Sequence, residues 1–195
     1  MDLTTTERIK EMIKIDADNT TSDAVLSNLI NSVSIMAENY MGRKIESTTY
    51  TEYFDVNIGG EYHSLKAYPV TSITTIHNDA DWTYGSDSLV STDSYQSSDE
   101  TGLLYVKTNA MIAGFNALKV VYIGGMATVT EELFDDYADL SHAIERQVAF
   151  LYKTRTKVGA SSVNSNSGGV SWDLGKIWMN DVKSILDSYR RVMYA

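Results

Sequence analysis

"TSDAVLSNLINSVSIMAENYMGRKIESTTYTEYFDV", Thr21 to Val56, changes its hydrophobic period halfway along. In the first half Leu26, Leu29, Ile30, Val33, Met36, Ala37 and Tyr40 recur at steps of three and four. That is the stripe of a helix with one buried face. Gly42 stands where a left-handed residue ends such a helix. From about Ile45 the stripe stops and Thr, Tyr and Phe crowd the chain, which is the composition of a strand. A long helix passing directly into strands predicts an α+β fold.

Toward the N-terminus, Thr4 to Ile15 reads as a short helix. Ile9, Met12 and Ile13 share one face, and Thr4 and Glu7 have capping-box spacing. Toward the C-terminus, Gly59-Gly60 marks a turn, and "HSLKAYPVTSITTIH" reads as strand, proline corner, strand. Pro69, the only proline, belongs at a sheet edge or a strand start, because it has no N–H to give a ladder. "NDAD", Asn78 to Asp81, is a second turn, and "SLVSTDSYQSS", "GLLYVKT" and "NALKVVYIGG" supply further short strands.

After Gly124-Gly125 the helical step returns through Leu140, Ile144, Gln147, Val148, Leu151 and Tyr152, with Thr130 or Asp139 as the cap. Val158 to Ser171 has no period and reads as a flexible linker. A last amphipathic helix carries Trp178, Val182, Ile185, Leu186, Tyr189 and Met193 on one face. The expected organisation is N-terminal helices over 1–44, a β-rich insertion over 45–125, a third helix over 126–157, the linker over 158–171 and a C-terminal helical arm over 172–195. Both chain ends then build one helical bundle, whose core is Leu26, Leu29, Ile30, Val33, Ile144, Val148 and Leu151.

The composition is that of an ordinary globular chain, with 195 residues, 43% hydrophobic and 22% charged. No apolar run approaches the roughly 20 residues of a membrane span. The N-terminus lacks a basic start and an apolar stretch, so a soluble protein made in a cytoplasm is expected. There is no cysteine, hence no disulfide frame and no thiolate chemistry. The net charge of −10 disfavours binding to phosphates. It serves solubility, or it keeps passing nucleic acid from sticking.

Chemistry-bearing patterns are sparse. His63, His77 and His142 form no i, i+4 pair, and neighbouring Ser141 and His142 point to different helix faces. "HNDAD", His77 to Asp81, lacks the closing glutamate of a calcium loop and reads as a turn. "YIGGMA" lacks the spacing of a phosphate-cradling loop. No catalytic group, metal or cofactor is expected. The Tyr and Trp side chains of the insertion, with Tyr50, Tyr53 and Tyr62 foremost, are candidates for a glycan- or protein-binding face. The pair Arg190 and Arg191 complements a helix C-terminus.

Six segments in order resemble the tailed-phage head–tail connector proteins, also called adaptor or head-completion proteins. They are "TSDAVLSNLINSVSIMAENYMGRKIE", "YPVTSITTI", "DSYQSSDETGLLYV", "LKVVYIGGMATVTEEL", "DLSHAIERQVAFLYKTR" and "SILDSYRR". The chain departs from the family near Thr130, where proline is usual, and Phe134 to Ala138 adds a turn before the third helix. The resemblance implies a structural virion protein at the head–tail interface. It forms a ring, expected to be a dodecamer, under the portal protein, and it docks the next neck, stopper or tail protein. DNA passes through the ring without specific binding. A stopper or tail-completion ring is the nearest alternative role. On this reading the tethered arm reaches the portal through Trp178, Val182, Ile185, Leu186 and Tyr189, with Arg190 and Arg191 meeting acidic groups there. A linker of about 14 residues spans on the order of 20 Å as a coil.

Overall fold

The computed structural model describes residues 1–57, 61–107, 111–157, 162–165, 168–171 and 177–191. The fold is α+β, with five α-helices and small antiparallel sheets among the described residues. The chain divides into two compact units. One joins the ends of the sequence, Met1–Met41 and Thr130–Arg190, and the other is Gly42–Val129 with the terminal residues from Arg191.

The first unit holds α1 (Thr6–Ile13), α2 (Asp23–Met41), α3 (Glu132–Asp136), α4 (Ala138–Thr154) and α5 (Asn180–Ser188). α4 is the element against which α1, α2, α3 and α5 pack. Its stripe Leu140, Ala143, Ile144, Val148 meets Ile9, Leu26, Ile30, Val33 and Ala37 in a core closed to water. Of the expected core residues, Leu29 and Leu151 lie half-buried at its margin. Gly42, at φ +67°, follows α2 as anticipated. The helix over 126–157 is in fact two helices broken at Tyr137.

One buried carboxylate organises the N-terminal end. Glu145 is nearly inaccessible on α4. The Arg8 guanidinium pairs with it, and the Thr4 hydroxyl donates to it at 3.3 Å. Such a charge tolerates burial only with partners of this kind. The capping box read at Thr4 and Glu7 is therefore a correction. Thr5, not Thr4, is the N-cap and makes no side-chain cap, while the Thr4 hydroxyl is engaged with Glu145 on α4.

Two further expectations change. Within the Ser/Asn/Gly tract read as a linker, β7 (Ser162–Ser165) and β8 (Gly168–Ser171) pair antiparallel. Glycine and asparagine hide a short hairpin as readily as they mark a coil. The C-terminal helix lies on its own unit, packed on α4 and α2. Trp178, Val182 and Leu186 are buried there, so the apolar face assigned to a partner is already covered. Gln147 fixes the entry to α5: its amide donates to the Ile177 carbonyl at 3.2 Å and accepts from Met179 N–H at 3.1 Å.

The second unit contains two three-stranded sheets. β1 (Thr48–Val56) and β3 (Val70–Asn78) flank β6 (Gly114–Gly124). β2 (Glu61–Ser64) and β4 (Tyr95–Ser98) flank β5 (Leu103–Val106). All these pairs are antiparallel. Val56, Leu65, Ile76, Leu104, Val106, Leu118, Val120 and Tyr122 form the core. Pro69 precedes edge strand β3, and the Tyr68–Pro69 bond is cis. The strand expected over "SLVSTDSYQSS" shrinks to β4. Ser86–Ser88 and Thr92–Ser94 are single 3₁₀ turns, since the Ser and Asp side chains compete for backbone bonds.

The glycine pair after β6 is required by close packing. A Cβ on Gly125, which has φ +131°, would lie 2.2 Å from the Glu46 carbonyl oxygen. There Met126 N–H donates to Ile45 O at 2.7 Å and Ser47 N–H to Ala127 O at 2.7 Å, clamping the two ends of the unit together. Deeper in, the Tyr122 hydroxyl donates to the Glu52 carboxylate and accepts from Ala67 N–H at 3.0 Å. Burial, and then this carboxylate, push the phenol well above its ordinary range.

Candidate interaction surface

The exposed apolar side chains of the second unit gather at the end of β3 and the start of β6. Asp79 follows β3 and accepts four hydrogen bonds: from Asp81 N–H at 2.8 Å, Thr83 N–H at 3.0 Å, the Thr83 hydroxyl at 2.6 Å and Tyr84 N–H at 2.8 Å. The Thr83 hydroxyl first, and then the backbone N–H groups of Asp81 and Tyr84, hold its carboxyl below the usual carboxylate value. So tight a loop places Trp82 at φ +61° and Tyr84 at φ +49°. Left-handed backbone is costly for large side chains, and such strain concentrates at functional sites.

On the β6 side Asn116 is also left-handed, at φ +50°. Its N–H donates to Asp55 at 2.8 Å. Two bonds tie the sides together: the Trp82 indole N–H donates to Phe115 O at 2.6 Å, and the Tyr84 hydroxyl to Asn116 O at 2.7 Å. The Tyr53 and Tyr84 rings lie 5.7 Å apart. Together Tyr53, Trp82, Tyr84, Phe115 and Asn116 line a cavity of about 260 Å³. Trp82 remains 57% and Phe115 67% exposed, and Leu89 and Ile112 are exposed as well. A rigid apolar cluster open to water is the signature of an interaction surface. Tyr62 and Tyr105, with ring centroids 4.9 Å apart, border a second, smaller hollow of about 190 Å³.

Of the tyrosines singled out in the sequence, only Tyr53 belongs to the aromatic cluster. Tyr50 packs 5.9 Å from Tyr122, and its hydroxyl donates to Glu46 O at 2.8 Å. Trp82 entered only as the Trp of the insertion, and Phe115, at the start of β6, was not singled out, because a turn and a strand end carry little period. The readable signal was "DADWTYG", an aspartate turn carrying two large aromatics. Both oxygens of Asp79 in "HNDAD" serve the backbone. No group of three metal-ligating side chains occurs among the described residues. His63 is buried and His142 is exposed. No helix among the described residues is long and apolar enough to cross a membrane.

The residues assigned to portal binding are dispersed. Trp178, Val182 and Leu186 are core, and Ile185 is half-buried. The Tyr189 hydroxyl donates to Asp139 at 2.6 Å. Arg190 lies 5.4 Å over the Tyr40 ring, and Arg191 Nε donates to the Ser64 hydroxyl at 2.9 Å.

A family model described as "Head completion protein" matches residues 2–192. No curated protein matches the chain. Three solved structures are similar at 15% identity. "Neck of empty GTA particle computed with C6 symmetry" matches with TM-score 0.62, over 96% of this chain and 89% of that one. "Virion of native gene transfer agent (GTA) particle" matches at 0.60, over 100% and 96%. "Neck of native GTA particle computed with C12 symmetry" matches at 0.59, over 97% and 92%.

Proposed function

Because the chain belongs to the head completion protein family, we propose that it is a structural component of the neck of a phage or phage-like particle. The observation that carries this reading is the family match over 2–192, nearly the whole chain. A fold shared along its length with chains from gene transfer agent particles supports it.

On this reading copies of the chain close into a ring under the portal, extend the DNA channel and present a surface to the next neck or tail protein. The C6 and C12 symmetries named for the similar necks support a ring of twelve. Portal docking uses surfaces other than the apolar face of α5, which its own unit covers. A net charge of −10 on every copy suits a channel that DNA slides through, since lumen carboxylates repel phosphates.

Purified protein mixed with the cognate portal, followed by native mass spectrometry and electron microscopy, tests this. A twelvefold ring seated on the portal is the expected product. A ring that joins only another neck ring assigns the chain to the stopper or tail-completion position. A chain that stays monomeric with the portal and with every neck protein refutes the proposal.

A further inference from the structure

We infer that the aromatic cluster of the second unit is a receptor for an arginine-bearing segment of a different protein, held by Trp82, Phe115 and Tyr53 with Asp55 at the rim.

Three observations carry this. First, the cluster already holds a cation of its own: Lys119 Nζ sits 5.1 Å over the Tyr84 ring. Tyr84 is thereby occupied, while Trp82 and Phe115 keep most of their surface in water. Second, the surroundings are anionic. The Asp55 carboxylate accepts from Asn116 N–H, and the Asp79 carboxylate accepts from Tyr84 N–H. Both carboxylates therefore bond residues that line the cluster. The Tyr84 phenol registers the environment: burial first, and then the charges of Tyr53 and Asp79, raise its pKa. A cation between ring faces and carboxylates gains from both. Third, about 260 Å³ is less than most small-molecule sites enclose and suits one long side chain. Arginine fits better than lysine, because its planar guanidinium stacks on rings and is more weakly hydrated.

Other occupants fit less well. A sugar needs directional hydrogen bonds, and the Trp82 N–H, the Tyr84 O–H and both Asp79 oxygens are already used within the chain. A second copy brings its own net charge of −10 to an acidic rim. The assignment rests on the assembly role proposed above, but its test involves no portal, so the two fail separately.

The test follows the Trp82 indole N–H by NMR in the full chain, with that resonance assigned through Trp82→Phe. The probe is an acetylated Gly-Leu-Arg-Leu-Gly amide, compared with the same peptide carrying citrulline, which keeps the shape and loses the charge. A saturable shift is expected with arginine, with affinity about threefold to fivefold weaker for citrulline. Asp55→Asn, which removes the charge and keeps an oxygen for the Asn116 N–H, weakens the arginine peptide in the same direction. Equal response to both peptides, or none to either, overturns the inference. So does saturation by maltohexaose in place of the peptide, which makes the site a glycan platform. Broadening that grows with protein concentration alone overturns it in favour of a second copy.

Discussion

Replacing Leu186 by alanine distinguishes a helix folded onto its own unit from an arm waiting for a partner. Leu186 is fully inaccessible, and the neighbouring Val182 and Trp178 are buried with it. The surroundings are fixed by α2 and α4, which are also tied to the C-terminal segment by bonds from Tyr40 to Asp187 and from Tyr189 to Asp139. Collapse around the missing methyls is therefore limited. Leucine-to-alanine changes at such sites cost about 2–5 kcal/mol, and the middle of that range applies, about 3 kcal/mol. In a protein of this length that lowers Tm by roughly 6–12 °C. Urea unfolding followed by far-ultraviolet circular dichroism measures the change, with exposed Ser184→Ala on the same helix as control. An arm free in solution would show a change within about 0.5 kcal/mol for both variants. That result would refute the packing of α5 described above.

Gly125→Ala should cost about 3 kcal/mol or more, because the added methyl meets the Glu46 carbonyl at 2.2 Å and the backbone is at φ +131°. Denaturant titration checks this, and near-wild-type stability would contradict the close approach. The Asp79 loop should loosen only in acid. Its folded pKa is depressed below 3.8, so its stabilising contribution is complete above 3.8 and is lost as pH falls through the folded value. The carboxyl resonance of Asp79 should titrate below 3.8, with Trp82 reporting the change; a midpoint at or above 3.8 would dissolve the claim.

The helices were legible because burial stamps a period on sequence. Leu26, Ile30 and Val33 declare the buried face of α2, and Ile144 and Val148 that of α4. What periodicity does not encode is the partner of a face. The stripe Val182–Leu186 is equally apolar whether it meets its own α4 or another protein, and a loop of glycine and serine before it tipped the reading toward the latter. The hairpin of β7 and β8 was invisible because Ser, Asn and Gly serve turns and coils alike. Thr4 misled for a related reason: capping spacing is local, whereas its actual partner Glu145 is 141 residues away. The aromatic surface joins a loop, with Trp82 and Tyr84, to strand positions Tyr53 and Phe115 far away in sequence, and Asp79 spoke for a turn without revealing what the turn displays.

The clamp at Ile45–Met126 and Ser47–Ala127 has a consequence for the order of events during synthesis. α1 and α2 leave the ribosome early, yet their larger packing surface is with α4, which is made much later. The intervening strands are contiguous and complete themselves first. Once the clamp shuts, Ile45 and Met126, each a few residues along the chain from α2 and α3, are held at neighbouring points. The loop that separates the two helical segments of the sequence is then closed, and its closure cost is met inside the β unit. Lesions at Gly125 should reopen that loop as well as weaken the sheet.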